Sequence, residues 1–94
     1  MLPLKKVAQF KRVEGSSDII VSIEQPLHKV SLRGIMEWSH IWLIYVQDTQ
    51  IQCTVCKIVS SSENRLQVSP VIEIPEDAAI VDLKPYHHLE SVDQ

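Results

Sequence analysis

The chain has 94 residues, 45% of them hydrophobic, and a formal net charge of −3. That length holds one hydrophobic core, so residues 1–94 are expected to form a single domain, and the apolar content excludes an intrinsically disordered chain. The acidic balance supplies no basic stripe of the kind that nucleic-acid proteins use to neutralise phosphates.

Charge is nevertheless uneven along the chain. Lys5, Lys6, Lys11 and Arg12 cluster near the N-terminus, either as a phosphate-contacting patch or as a solvated face, the ordinary role of a charge run. The first residues lack the apolar core and small-residue cleavage site of a secretory signal. The longest apolar run, 41–46, is far below the roughly 20 residues that span a bilayer. Two cysteines in such a chain are expected as reduced thiols in a cytoplasmic protein with no membrane association.

A first strand is predicted over 7–13, closed by the turn former Gly15-Ser16-Ser17-Asp18. The β-branched run 19–24 makes a second, stopped by Pro26. Leu32, Ile35, Met36 and Ser39 are spaced for one face of a helix or 3₁₀ turn that Ser31 would cap. Gly34, about 1 kcal/mol worse than Ala in a helix, holds it to one or two turns. Residues 41–46 are continuously apolar, the pattern of a central strand covered on both faces.

A strand over 51–59 follows, then the polar turn Ser60-Ser61-Ser62-Glu63-Asn64. The return strand over 65–74 alternates Leu66 and Val68 with Arg65 and Gln67, and Pro70 makes its second half an edge or a bend. A last strand is expected over 78–83. Short strands with regularly spaced turns predict an all-β fold, a small antiparallel barrel or sandwich with short helical turns. Closure into a barrel removes the exposed sheet edges that such a chain must otherwise protect.

Three groups could carry chemistry. Ser39-His40 stands at the mouth of the apolar strand, where an imidazole with an ordinary pKa of about 6.5 suits acid–base work. No nucleophile partner is identifiable, and the competing role is to satisfy turn backbone and a buried carbonyl. On a strand, Asp82, Lys84 and Tyr86 fall on one face, either as the polar floor of a small-molecule pocket or as an edge with a salt bridge ended by Pro85. Cys53-Thr54-Val55-Cys56 has the spacing of a zinc or redox pair that His87-His88 would complete. Residues three apart on a strand point to opposite faces, so two buried, inert cysteines and no metal site are expected. A metal-binding or redox protein using Cys53 and Cys56 remains a third class. Trp38, Trp42 and Tyr45 offer aromatic area for an interface.

Two stretches carry a resemblance. Arg33-Gly34-Ile35-Met36-Glu37-Trp38-Ser39-His40-Ile41-Trp42-Leu43-Ile44-Tyr45-Val46 and Asp82-Leu83-Lys84-Pro85-Tyr86 resemble the TsaA-like (YaeB or TrmO) family, S-adenosylmethionine-dependent methyltransferases that modify tRNA. Family members read RGLEGFSHLWVLFVF at the first site and DIKPY at the second, and the resemblance extends over residues 18–46 and 52–91. It implies an antiparallel barrel of the TsaA-like kind and a homodimer. It also implies a cofactor-binding set of Ser39, His40, Asp82, Lys84, Pro85 and Tyr86, with Asp82, Lys84 and Tyr86 as the catalytic candidates.

The family places an Arg-, Pro- and Asn-rich cofactor loop, of the kind RSPFRPNPIG, between these stretches. Here Val46 passes through Gln47-Asp48-Thr49-Gln50 directly to the next apolar run. The family's DGTPV is replaced by Glu76-Asp77-Ala78-Ala79-Ile80, which removes a glycine and a threonine hydroxyl. With Gly15 and Gly34 as the only glycines, no other Gly-rich loop takes over. The resemblance therefore implies a reduced TsaA-like barrel, related to enzymes that N6-methylate threonylcarbamoyl-adenosine in tRNA. It would be non-catalytic, or dependent on a protein partner that completes the site. The alternative is an active S-adenosylmethionine-dependent tRNA methyltransferase with a pocket rebuilt around His40, Asp82, Lys84 and Tyr86.

Overall fold

The computed structural model describes residues 5–24 and 39–86. They form six strands: β1 (Ala8–Arg12), β2 (Ile19–Ile23), β3 (His40–Gln47), β4 (Gln50–Ser62), β5 (Arg65–Pro70) and β6 (Ala79–Pro85). All pairings are antiparallel, and the order β1-β2-β5-β4-β3-β6 closes into a barrel. The all-β barrel is thus the fold found. The helical turn expected near 31–39 lies outside the described residues, apart from Ser39, which is a bend.

Period-two alternation builds the interior. Ile19 and Val21, Ile41 and Leu43, Leu66 and Val68 are each fully buried, because residues two apart on a strand share a face. Ile80, Leu83 and Cys56 join them, and Ile74 packs into the same core. Thr54 is the buried polar residue of this interior, and among the described residues its hydroxyl finds no partner, a cost of about 1–3 kcal/mol.

The expectation for 41–46 needs correction. β3 is not enclosed on both faces: Ile41, Leu43 and Tyr45 point inward and are buried, whereas on the outer face Trp42 is 37% exposed and Ile44 and Val46 are half-buried. In a small barrel one face of every strand fills the interior, and nothing obliges the outer face to be covered. Tyr45, 7% exposed, belongs to the core and is not available to an interface. Trp38 lies outside the described residues.

The serine-rich segment is also strand. Ser60, Ser61 and Ser62 pair with Gln67, Leu66 and Arg65, so the turn shrinks to Glu63-Asn64, and Val59 sits in an irregularity of the ladder with 50% exposure. At the β3–β4 connection the register runs unbroken from His40–Lys57 to Gln47–Gln50. That leaves a two-residue turn at Asp48 (φ 52°) and Thr49 (φ 64°). Positive φ at both central positions is the type I′ geometry, which matches the twist of a hairpin. Asp tolerates it; β-branched Thr does so only under strain.

Among the described residues the barrel closes least securely between β1 and β6, which share the ladder pair Ala8–Ile80, with Val7 donating its N–H to the Ile80 carbonyl (2.9 Å). Further along β1, the Arg12 guanidinium reaches across, donating to the Ile74 carbonyl (2.7 Å) and to Glu73 (2.8 Å). Lys5, Lys6 and Lys11 are exposed, so of the N-terminal cations Arg12 alone is tied into the fold. Gly15, at φ 81°, supplies the left-handed residue of the β1–β2 turn.

Candidate functional site

One irregularity in β6 decides which residues face outward. Ile44 is opposite Asp82 but Tyr45 is opposite Ile80, so Val81 is an extra residue between them. This bulge lets Ile80 and Leu83, three apart, both point inward. It also turns Asp82 and Lys84 onto the outer surface, opposite Ile44 and Trp42. Tyr86 continues that face: its ring lies 5.3 Å from Trp42, edge-on, and 6.0 Å from His40. The expected sharing of a face by Asp82, Lys84 and Tyr86 therefore holds, with His40 and Trp42 beside them. Pro85, opposite Ile41, is half-buried on the inner side.

The local bonds of these residues are with the backbone and with each other. Ser39 Oγ and His40 Nδ1 are 2.9 Å apart. Asp82 Oδ1 accepts the Leu83 N–H at 2.8 Å. Two residues on, Pro85 has no N–H to offer. Leu83 and Pro85 address the same side of β6, so that side presents one donor already satisfied and one that does not exist. Among the described residues the ladder to β1 has no pair beyond Ile80. Proline and local capping of this kind leave that side of β6 with fewer free donors for pairing.

β4 completes the surface. Lys57 lies opposite His40, Val55 opposite Trp42 and Cys53 opposite Ile44. Past the end of β5, Val71 donates its N–H to the Val55 carbonyl (3.1 Å). Lys84, Trp42, Val55 and Val71 therefore form one row across the outside of the barrel. Sequence reasoning missed Lys57, Val55 and Val71 because register is the information that places them, and no local motif encodes it.

The cysteines separate as their spacing requires, but they are not both buried. Cys53 is exposed and Cys56 is in the core, where burial pushes its thiol up to about 12. The two cannot share a metal ion or a disulfide without breaking β4, and among the described residues no group of three or more His, Cys, Asp or Glu side chains is placed to hold a metal. His87 and His88 lie outside the described residues.

Among the described residues, the candidate set gathers mainly on one outward face of the barrel. Of its six members, Ser39, His40, Asp82, Lys84 and Tyr86 sit on or beside the outer face, and Asp82 has one carboxylate oxygen committed to Leu83. Ligand sites of this size are concave and bury most of the ligand, and this outer face would form one wall of such a site. The cavities that described residues line are elsewhere. One of about 310 Å³ is bordered by Gln9, Phe10, Lys11, Ile20, Ser22 and Arg65, and neither it nor its two neighbours along β1, β2 and β5 includes a candidate residue.

No helix among the described residues is long and apolar enough to cross a membrane. No protein-family model and no characterised protein matches the sequence. Solved structures do match. The crystal structure of TrmO from Pseudomonas aeruginosa is similar over 100% of this chain and 59% of its own, with a TM-score of 0.70 and 15% identity. A second crystal structure of TrmO is similar over 93% of this chain and 58% of its own, at TM-score 0.70 and 16% identity. The described barrel therefore has the fold of TrmO, a TsaA-like barrel, in a chain that spans less than two thirds of the TrmO chain.

Proposed function

We propose that this chain is a reduced TsaA-like barrel, cytoplasmic and linked to tRNA modification, that does not hold S-adenosylmethionine alone. It acts as a non-catalytic module or as one subunit of a site that a partner completes. The observation that carries this reading is the two-residue turn at Asp48-Thr49, at the position where the resemblance calls for the cofactor loop. Methyl transfer needs the sulfonium and its acceptor held at near-attack distance, and an open wall cannot hold them so. A homodimer and contact with tRNA belong to the same proposal.

The second reading, an active methyltransferase with a rebuilt pocket, draws on the convergence of His40, Asp82, Lys84 and Tyr86 on one face. Calorimetric titration with S-adenosylmethionine separates the two. A flat titration of the full chain supports the module. Saturable binding that Lys84→Ala and Asp82→Ala both weaken supports the rebuilt pocket, and tRNA methylation is then the assay to run. Two variants are needed because Asp82→Ala also releases the Leu83 N–H.

A further inference from the structure

The outer face of β3, β4 and β6 combines features that the missing cofactor loop does not explain. Trp42 is 37% exposed and Val71 73% exposed, in the row that also holds Val55 and Lys84. Ile72, next along the chain, is 62% exposed. With strands about 4.8 Å apart and same-face residues about 7 Å apart along each strand, the three rows from His40 to Ile44 cover roughly 15 Å by 15 Å. Isolated exposed apolar residues are ordinary, but a contiguous patch centred on tryptophan has the composition of an interaction hot spot.

The charges around the patch select its occupant. Lys57 and Lys84 flank Trp42 from the two neighbouring strands, and neither has an ion-pair partner among the described residues. Asp82 is the one carboxylate placed on this face by the ladders, and it bonds the Leu83 N–H. In a chain of net charge −3 this is a locally cationic surface. A second copy docking symmetrically here would set lysines against lysines, which is unfavourable. RNA would find cations, but its bases need flat aromatic platforms. Here Trp42 and Tyr86 pack edge-on against each other, and the rest of the apolar area is branched aliphatic.

We propose that this face docks a short acidic segment of a protein partner, an apolar anchor seated on Trp42, Val55 and Val71 with flanking carboxylates on Lys57 and Lys84. The proposal rests on the reading of the chain as a partner-dependent module and names the chemistry of that partner. The patch is smaller than a standard interface.

Cys53 provides the reporter, being exposed on the same face while Cys56 is buried. The full chain, labelled at Cys53 with an environment-sensitive dye, is titrated with a synthetic peptide carrying a Leu-Phe pair between runs of glutamate. Saturable binding is expected, weakened about tenfold or more by Trp42→Ala and by Lys57→Glu with Lys84→Glu, and lost when the glutamates are replaced by lysine. Absence of binding by the glutamate peptide overturns the proposal. So does tighter binding of a single-stranded RNA oligonucleotide that Trp42→Ala abolishes, self-association that the same change abolishes, or peptide binding seen only after residues 87–94 are removed. Each assigns the face to another occupant. A parallel titration with S-adenosylmethionine tests the underlying reading separately, since cofactor binding would leave the peptide result legible in its own right.

Discussion

The barrel is held shut by different means on its two sides. β3 is laced along both edges, to β4 from His40–Lys57 through Gln47–Gln50 and to β6 from Ile41–Pro85 through Val46–Ala79. β1 is laced to β2, yet among the described residues it meets β6 only around Ala8–Ile80, where Val7 also bonds the Ile80 carbonyl. On the first side, backbone ladders and buried aliphatic side chains do the closing; on the second, one guanidinium stands in for much of a ladder. The fully laced side, the more rigid of the two, carries His40 and Trp42, and β6 with Asp82 and Lys84 belongs to both.

The largest expected effect lies on the rigid side. Leu43 is fully buried between β4 and β6, and Leu43→Ala should lower unfolding free energy by about 2–5 kcal/mol in urea denaturation. A loss near zero would mean that the β3 ladders, and not its packing, hold that wall. Next comes Cys56 in the same wall. Burial pushes its thiol from the ordinary value of 9.0 up to about 12. Below pH 9 both states keep the proton and the group does not affect stability. Between about 9 and 12 the unfolded state binds fewer protons, so stability should fall as pH rises, by at most about 1.4 kcal/mol per pH unit. Cys56→Val should flatten that slope, and denaturation curves across this range decide it.

On the seam side, Arg12→Ala removes a bond to the Ile74 carbonyl and a partly exposed pair with Glu73. Exposed pairs contribute little, so most of the expected loss of about 1–3 kcal/mol comes from the carbonyl and the buried stem. Amide exchange should accelerate along β1 and not along β3; equal acceleration in both would erase the distinction between the two sides. The smallest effect is a gain. Thr49→Gly at φ 64° should stabilise the hairpin by about 1 kcal/mol. A loss would show that the Thr49 hydroxyl, which donates to the Asp48 carbonyl, outweighs the strain.

Strand positions were legible where alternation or β-branching is strong: the run 19–24 became β2, and Pro70 marks the end of β5. Composition misled where pairing overrides it. Serines 60–62 look like loop but are strand, because β5 supplies a partner for each. The apolar run 41–46 reads as covered on both sides, yet hydropathy records what a strand tolerates and not what encloses it. At the site, Asp82, Lys84 and Tyr86 could be placed on one face by counting. The bulge at Val81, which makes that count compatible with both Ile80 and Leu83 inside, has no mark in the sequence. Nor does Cys53 announce its exposure, which follows from its register with Ile44.

The tight tip between Gln47 and Gln50 has one more consequence. A hairpin end in full register is a socket: a longer segment spliced there changes no pairing below it, and each doubling of such a segment costs only about 0.6 kcal/mol in closure entropy. Excising or grafting a ligand-binding insert at this tip is thus nearly uncoupled from folding of the barrel. Two versions of this architecture can therefore differ in the length of that tip while the barrel below it stays the same.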